Sequence, residues 1–216
     1  MKNLERMILQ YIPYDEEEAG VKILMLQYLS QFGEMALTRE CASGHFTTSV
    51  FLFNKEHTKV LMCYHLIDDS WAFLGGHADG IADLKSVALR EVQEEAGIKN
   101  YHLINDGKVA LLSCNPIGNH VKNGKYIPSH VHLDVIFVGE ADETEELIIK
   151  PDENDGLKWI DVKELKAEVA DKWKMEHVYQ AAMMDPHTGG ELSTDEIVAL
   201  CDELKKVTEE AGYPVF

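Results

Sequence analysis

The chain has 216 residues, of which 45% are hydrophobic, and it carries a net charge of −18 at pH 7. This length and apolar content suit one sizeable core with elaborations, or at most two small domains. Because so acidic a surface repels a phosphate backbone, we expect no nucleic-acid partner. A phosphorylated small molecule can still bind if a cation bridges it to the protein.

The cysteines and the first residues indicate the compartment. Cys41, Cys63, Cys114 and Cys201 are scattered and form no CxxC pair, which fits a reducing environment. No segment approaches the roughly 18 apolar residues of a membrane span. The first 18 residues contain acids where a signal peptide would have its apolar run. We therefore expect a cytoplasmic protein without a membrane partner.

Residues 1–45 are predicted to form a helical extension. Apolar residues recur at helical spacing from Leu4 to Tyr11, and Pro13 ends this first helix. Asp15 can cap a second helix, whose apolar side includes Val21.

Strands and helices then mix within residues 46–165. The run "HFTTSVFLFN" is rich in β-favouring residues, and "TKVLMCYHL" is its hairpin partner. A strand ending in Gly75 and Gly76 precedes a helix, and a later strand, "HVHLDVIFVGEA", alternates apolar and polar residues. The segment "LKWIDVKEL" reads as a strand running into a helix, with Asp161 as its N-cap. Such mixing argues for an α/β or α+β domain around one sheet.

The last segment, residues 166–216, is predicted to be helical and packed on the same domain. Its run "STDEIVALCDELKKVTEEAG" begins with a capping box, Ser193 to Glu196.

The segment "REVQEEAG", residues 90–97, crowds three carboxylates onto one helical surface. Glu91, Glu94 and Glu95 stand at i, i+3 and i+4, where like charges destabilise a helix by about 0.2–0.5 kcal/mol per pair. A helical wheel places Glu95 within the apolar arc and Glu94 at its edge. Since burying an unpaired charge is costly, a hard divalent cation, Mg²⁺ or Mn²⁺, is the expected partner of these acids.

Residues 75–98, "GGHADGIADLKSVALREVQEEAGI", resemble the Nudix box, G-x5-E-x7-R-E-U-x-E-E-x-G-U with U an aliphatic residue. Gly76 matches the first glycine, and Gly97 with Ile98 closes the pattern. The residues that match R-E-U and E-E are Arg90, Glu91, Val92, Glu94 and Glu95. The resemblance covers roughly residues 46–165 and implies an α/β/α sandwich with a mixed sheet, to which this chain adds N- and C-terminal helices.

The resemblance also implies a function. Nudix proteins typically hydrolyse a diphosphate linkage in a nucleoside diphosphate joined to another moiety, with divalent metals on the phosphate oxygens. Glu91, Glu94 and Glu95 would bind Mg²⁺ or Mn²⁺, and Arg90 would orient the glutamates. Gly75 and Gly76 would shape the substrate loop.

The general base and the substrate contacts are less strongly marked. A glutamate of the box, Glu94, or an acid on a later loop, Glu153, is the candidate base. His77 lies in the glycine loop beside the expected phosphate. His130 and His132 share a strand face with Asp134 and are candidates to line the substrate pocket.

One position departs from the box, because Ala82 stands where the family has its first glutamate. In the family that carboxylate usually pairs with the box arginine. Asp83 and Asp79 are candidate substitutes, with Asp83 favoured because it borders the vacant position.

Two other functions remain open. Ala82 favours a Nudix-fold module that binds a nucleotide without hydrolysing it, whereas the intact glutamates favour the enzyme. An isomerase acting on a prenyl diphosphate would need a protonating cysteine such as Cys63 or Cys114. A homodimer is compatible with the pattern, since the N-terminal helices and the strand near Phe46 could pack against a second copy.

Overall fold

The computed structural model describes residues 1–65, 70–122, 124–149 and 156–169. The two predicted N-terminal helices are present: α1 spans Lys2–Gln10 and α2 spans Glu16–Phe32. The Asp15 side chain accepts the Glu18 backbone N–H, so the predicted cap of α2 is confirmed. A short 3₁₀ helix, Gly33–Leu37, then leads to the sheet.

Ten strands, two α-helices and a 3₁₀ turn at Asn105–Gly107 follow within the part of the chain that the structure describes. The strands are β1 Gly44–Asn54, β2 Lys59–His65, β3 Ser70–Ala72, β4 Leu74–His77, β5 Tyr101–Leu103, β6 Leu111–Ile117, β7 His120–Lys122, β8 Lys125–Ile127, β9 His130–Ala141 and β10 Leu157–Asp161. The helices are α3 Leu84–Ala96 and α4 Leu165–Glu168.

Eight of the described strands form one mixed sheet, and β7 pairs with β8 as a separate hairpin. The main order is β10-β2-β1-β9-β5; β3 pairs with β2, β4 with β1 and β6 with β9. The two longest strands, β1 and β9, run parallel from Gly44↔Val131 to Asn54↔Ala141. The other pairings in the sheet are antiparallel, so the predicted mixed sheet is confirmed.

The sheet has an apolar core on each face because alternate residues of β1 and β9 point to opposite sides. On one face Phe46, Val50 and Leu52 pack with residues of α1, α2 and α3. On the other face Phe51 and Phe53 pack with residues of β10 and α4. Helices therefore cover both faces, in an α/β/α arrangement.

The buried carboxylate of Glu18 joins the N-terminal helices to the sheet. It accepts hydrogen bonds from the Tyr11 hydroxyl at 2.6 Å and from the Leu112 backbone N–H of β6 at 2.8 Å. The Tyr14 N–H is a third donor. Burial nevertheless raises the pKa of Glu18 above its usual range. Three donors therefore hold this acid at a place where its charge costs free energy.

Two predictions need correction. Asp161 is not the N-cap of the last described helix, because α4 begins four residues later with Glu164 as its N-cap, while the Asp161 side chain accepts the Lys163 N–H. The strand near Phe46 is not available to a second copy, since β1 is flanked by β9 on one side and by β2 and β4 on the other, and Phe46 is fully buried in the core.

The homodimer and the chain divisions at residues 45 and 165 stay predictions. The capping box at Ser193 lies outside the described residues. Within the described part of the chain, no helix has the length and apolar character needed to span a bilayer.

We predict that Glu18→Ala lowers the free energy of unfolding by about 2–6 kcal/mol, because the Tyr14 and Leu112 N–H groups lose their acceptor at about 1–3 kcal/mol each. Tyr11 retains a second acceptor, the Ala110 carbonyl. Urea unfolding measures the change. Glu17→Ala is the matched control, since Glu17 is an exposed acid in the same helical turn. Equal stability of the two variants would contradict the role of Glu18.

Candidate functional site

The site begins where β4 lies against β1. Gly75 pairs with Ser49 and Gly76 with Thr48 in the antiparallel register. A Cβ added to Gly75 would lie 2.4 Å from the Thr48 carbonyl oxygen, so only glycine fits at this position.

The same two glycines receive the acids of α3. Glu95 is buried, and its carboxylate accepts the Gly75 N–H at 2.9 Å. The Glu91 carboxylate lies where a Gly76 side chain would be, since an added Cβ would be 2.5 Å from the Glu91 Cδ. The helical-wheel prediction is confirmed for Glu95, which is buried together with Leu84, Val87, Ala88, Val92 and Ala96.

Arg90 lies between the two remaining carboxylates. Its Nη2 donates to Glu91 Oε1 at 3.0 Å, and its Nε lies 3.8 Å from Glu94 Oε2. The hydrogen bond to Glu91 raises the pKa of Arg90. Glu94 is the most exposed of the three acids, with 46% of its side chain accessible compared with 14% for Glu91. One arginine thus compensates part of a cluster of three charges.

Neither aspartate near Ala82 replaces the family's glutamate by a direct contact with Arg90. Asp83 is the N-cap of α3 and accepts the Ser86 N–H. Asp79 accepts two hydrogen bonds of 2.8 Å from Arg39, and these bonds lower the pKa of Asp79. Asp79 contributes to the raised pKa of Arg90. Which of the two aspartates supports Arg90 stays a prediction.

A second polar group comes from the parallel β1/β9 pair. Asp134 is buried, and it accepts hydrogen bonds from the Thr47 hydroxyl at 2.9 Å and the Ser49 hydroxyl at 2.8 Å. Thr47 and Asp134 are register partners across the ladder.

Histidines cluster at the beginning of these strands. His45 and His132 are register partners on β1 and β9, and His77 of β4 pairs with Thr47, two residues along from His45. The centroid of the His45 ring lies 5.0–5.1 Å from the ring centroids of His77, His130 and His132. Burial lowers the pKa of His77 to about 3 and also lowers that of His45. These two rings are therefore neutral near pH 7.

The acids and the histidines line one cavity of about 810 Å³. Among its lining residues are the predicted site residues Gly75, Gly76, His77, Arg90, Glu91, Glu94, Glu95, His130 and His132. Glu153 lies outside the described residues.

The cavity is also lined by residues that the sequence did not single out, among them Arg39, His45, Thr47, Ser49, Lys122 and Tyr126. Most of them lie far in sequence from the acidic helix, so no local pattern marks them. Asp134, recognised only for sharing a face with the two histidines, lines the cavity as well.

The cysteines give the isomerase no support. The Cys63 thiol is buried, lies 3.3 Å from the Phe73 carbonyl oxygen, and has a pKa raised well above its usual value by burial. Neither Cys63 nor Cys114 lines the cavity, although Cys41 does.

A family model described as the NUDIX domain matches residues 43–182. This match covers more than half of the chain and includes the acidic helix, the paired glycines and the mixed sheet. The chain therefore belongs to the NUDIX domain family, that of the Nudix hydrolases.

The chain also resembles several solved structures. A NUDIX family hydrolase from Clostridium perfringens is 25% identical, with a TM-score of 0.45, covering 64% of this chain and 95% of that one. The NUDIX domain of Shewanella oneidensis NrtR, solved with ADP ribose, is 15% identical, with a TM-score of 0.46 and coverages of 72% and 94%. The C. elegans Ap4A hydrolase is 12% identical, with a TM-score of 0.44 and coverages of 73% and 98%. Since all three scores are below 0.5, the family assignment rests on the family model.

One curated protein shares a short segment with this chain. The alpha-galactosidase of Bacillus subtilis is 61% identical over 31 residues, which are 14% of this chain and 7% of that protein. So short a segment carries no conclusion about activity.

The donors on α3 fit the divalent metal that the family implies. Three carboxylates supply the hard oxygen ligands that Mg²⁺ and Mn²⁺ prefer. One of them is buried, and the arginine beside them brings one positive charge against three negative ones. A cation would reduce this imbalance.

We predict that Gly75→Ala destabilises the protein more than Gly76→Ala does. At Gly75 the new methyl group meets the backbone of β1, whereas at Gly76 it meets the movable end of Glu91. Forced overpacking typically costs about 1–3 kcal/mol, which we expect for Gly75→Ala. Urea unfolding compares the two, with Gly20→Ala as control because no atom lies within 4 Å of its added Cβ. A larger loss for Gly76→Ala would contradict the described packing.

Proposed function

We propose that this protein is a hydrolase that depends on Mg²⁺ or Mn²⁺ and cleaves a diphosphate bond in a nucleoside diphosphate linked to another moiety. The observation that carries the proposal is that Arg90 and three glutamates of one helix line a cavity large enough for a nucleotide.

Glu91, Glu94 and Glu95 would hold the divalent metal. When bound, the metal neutralises phosphate charge and lowers the pKa of a bound water. The buried Glu95 is fixed by the Gly75 N–H, so its carboxylate is oriented before any ligand enters. Such preorganisation avoids an entropic cost when the substrate binds.

Arg90 is proposed to orient the acids. Its guanidinium is hydrogen-bonded to Glu91 and lies close to Glu94, so that one planar group would orient two carboxylates. Glu94, the most accessible of the three, is our candidate to accept a proton from the attacking water, and Glu153 is the alternative base.

The substrate would lie between the glycine strand and the histidines. Gly75 and Gly76 allow close approach of a phosphate to the backbone of β4. His77, His130 and His132 are proposed to contact the substrate from across the cavity. Arg39 and Lys122 line the same cavity and add positive charge to an otherwise acidic protein.

We predict metal-dependent hydrolysis in a panel of sugar nucleotides, dinucleotide cofactors, dinucleoside polyphosphates and nucleoside triphosphates. Release of monophosphate or pyrophosphate would be followed with Mg²⁺, with Mn²⁺ and with chelator. Glu94→Gln should lower kcat by about 10²–10⁴-fold, the range for loss of a general base. Glu143→Gln, a glutamate paired with Lys59 outside the cavity lining, is the control.

No hydrolysis anywhere in the panel, together with nucleotide binding by calorimetry, would replace the enzyme with a binding module. The observation that favours this second function is Ala82, which leaves Arg90 without the carboxylate partner typical of the family.

We predict that Ala82→Glu raises turnover. Ala82 is partly buried beside the core, and Arg90 is hydrogen-bonded to neither Asp79 nor Asp83. A charge-assisted hydrogen bond contributes about 1.5–3 kcal/mol. If half of this appears in the barrier, the gain in turnover is about 4- to 12-fold.

The aspartates provide the comparison for this variant. Asp83→Ala should alter mainly stability, because it removes the N-cap of α3. Unchanged turnover in Ala82→Glu together with a loss in Asp79→Asn would show that Asp79 already supports Arg90.

A further inference from the structure

We propose that His45, His77 and His132 form a binding site for a transition-metal cation of the Zn²⁺ class, separate from the carboxylates of α3. The ligand nitrogens of the three histidines all lie within 4.8 Å of one another. Among the described residues, no other set of three or more histidine, cysteine or carboxylate ligand atoms lies this close together. The glutamates of α3 are therefore farther apart than this.

The hydrogen bonding of His45 indicates a ligand atom directed into the cluster. Its Nδ1 lies 3.4 Å from the Cys41 carbonyl oxygen, which can only accept, so Nδ1 carries the proton. Nε2 of the neutral ring then has a lone pair. This nitrogen is buried and has no hydrogen-bond partner, and His45 as a whole is only 5% exposed. A buried acceptor without a partner is costly unless a ligand binds it.

The Cys41 carbonyl also provides the support that metal-binding histidines have. Such histidines almost always donate their second ring N–H to a carbonyl, carboxylate or water, which fixes the tautomer and the ring orientation. His130 has a comparable contact, with its Nδ1 at 2.9 Å from the Pro128 carbonyl oxygen.

The chemistry of the three ligands selects the metal. Imidazole nitrogen suits Zn²⁺, Co²⁺, Ni²⁺ and Cu²⁺, whereas Mg²⁺ prefers oxygen. Three histidines around Zn²⁺ leave a fourth position for water or an anionic oxygen, and Zn–N distances of about 2.0–2.1 Å put the nitrogens about 3.3 Å apart. Starting from at most 4.8 Å, small side-chain rotations bring them together. A fourth histidine, His130, lies beside the trio, with its Nε2 at 3.2 Å from His132 Nε2.

The three histidines line the same cavity as the carboxylates of α3. A metal on them would place a cation in the same cavity as the acidic helix, so that the cavity would hold a hard oxygen site and an imidazole site.

The test uses Co²⁺ as a spectroscopic probe on the full chain after dialysis against chelator. Excess Mg²⁺ is added to compete for the carboxylates, and Co²⁺ is then titrated while the visible absorption is followed. We expect one equivalent to give the intense bands of low-coordinate, nitrogen-bound Co²⁺, and one equivalent of Zn²⁺ to remove them. No substrate is present, so the result is independent of the proposed hydrolysis.

The variants assign the site. Loss of a supporting contact alone costs about 10–100-fold in metal affinity, so His45→Gln and His132→Gln should each lose at least about 100-fold. His102→Gln is the control, since its ring is 66% exposed and lies away from the cavity. Glu91→Gln should retain the bands.

Two results would overturn the proposal. One is the absence of intense bands in the parent protein, which requires no variant to fold. The other is full retention of the bands in His45→Gln and His132→Gln, with native circular dichroism.

Discussion

The parallel pairing of β1 with β9 is the contact on which the rest of the structure depends. It joins segments about 87 residues apart and aligns them over the full length of β1. One face of this pair carries the apolar side chains that support α3, and the other carries His45, Thr47, His132 and Asp134. Since a shift of one residue would exchange the two faces, this register fixes both the core and the cavity.

The acidic helix illustrates how a fold can hold charges that repel one another. Its apolar residues anchor it to the sheet, and their spacing forces Glu95 into the interior. The sheet has glycines at the facing positions. The missing side chain of Gly76 leaves room for Glu91, and the backbone N–H of Gly75 donates a hydrogen bond to Glu95. The site is thus formed by the packing of the helix on β4, and its excess of negative charge favours cation binding.

The sequence was sufficient where the determinants are local. The cap at Asp15, the hairpin of β1 and β2 and the buried side of α3 follow from spacing within one segment, and the structure has all three. His45 was missed because nothing in "HFTTSVFLFN" distinguishes it from a surface histidine. Its position in the cavity depends on the pairing of β1 with β9, which places it opposite His132, and strand register over such a separation cannot be read from one sequence. The β7/β8 hairpin was also missed, although "NG" between its strands is a known turn signal.

The β7/β8 hairpin is a part of the cavity lining whose residues could differ between proteins of this family. β7 and β8 pair only with each other among the described strands, and none of their described residues is buried. Even so, His120, Lys122, Tyr126 and Ile127 line the cavity. Substitutions there would change the surface that a ligand meets without the packing cost of a core mutation. Substitutions in this hairpin could therefore reshape one wall of the cavity while leaving the packing of the acidic helix on β4 intact.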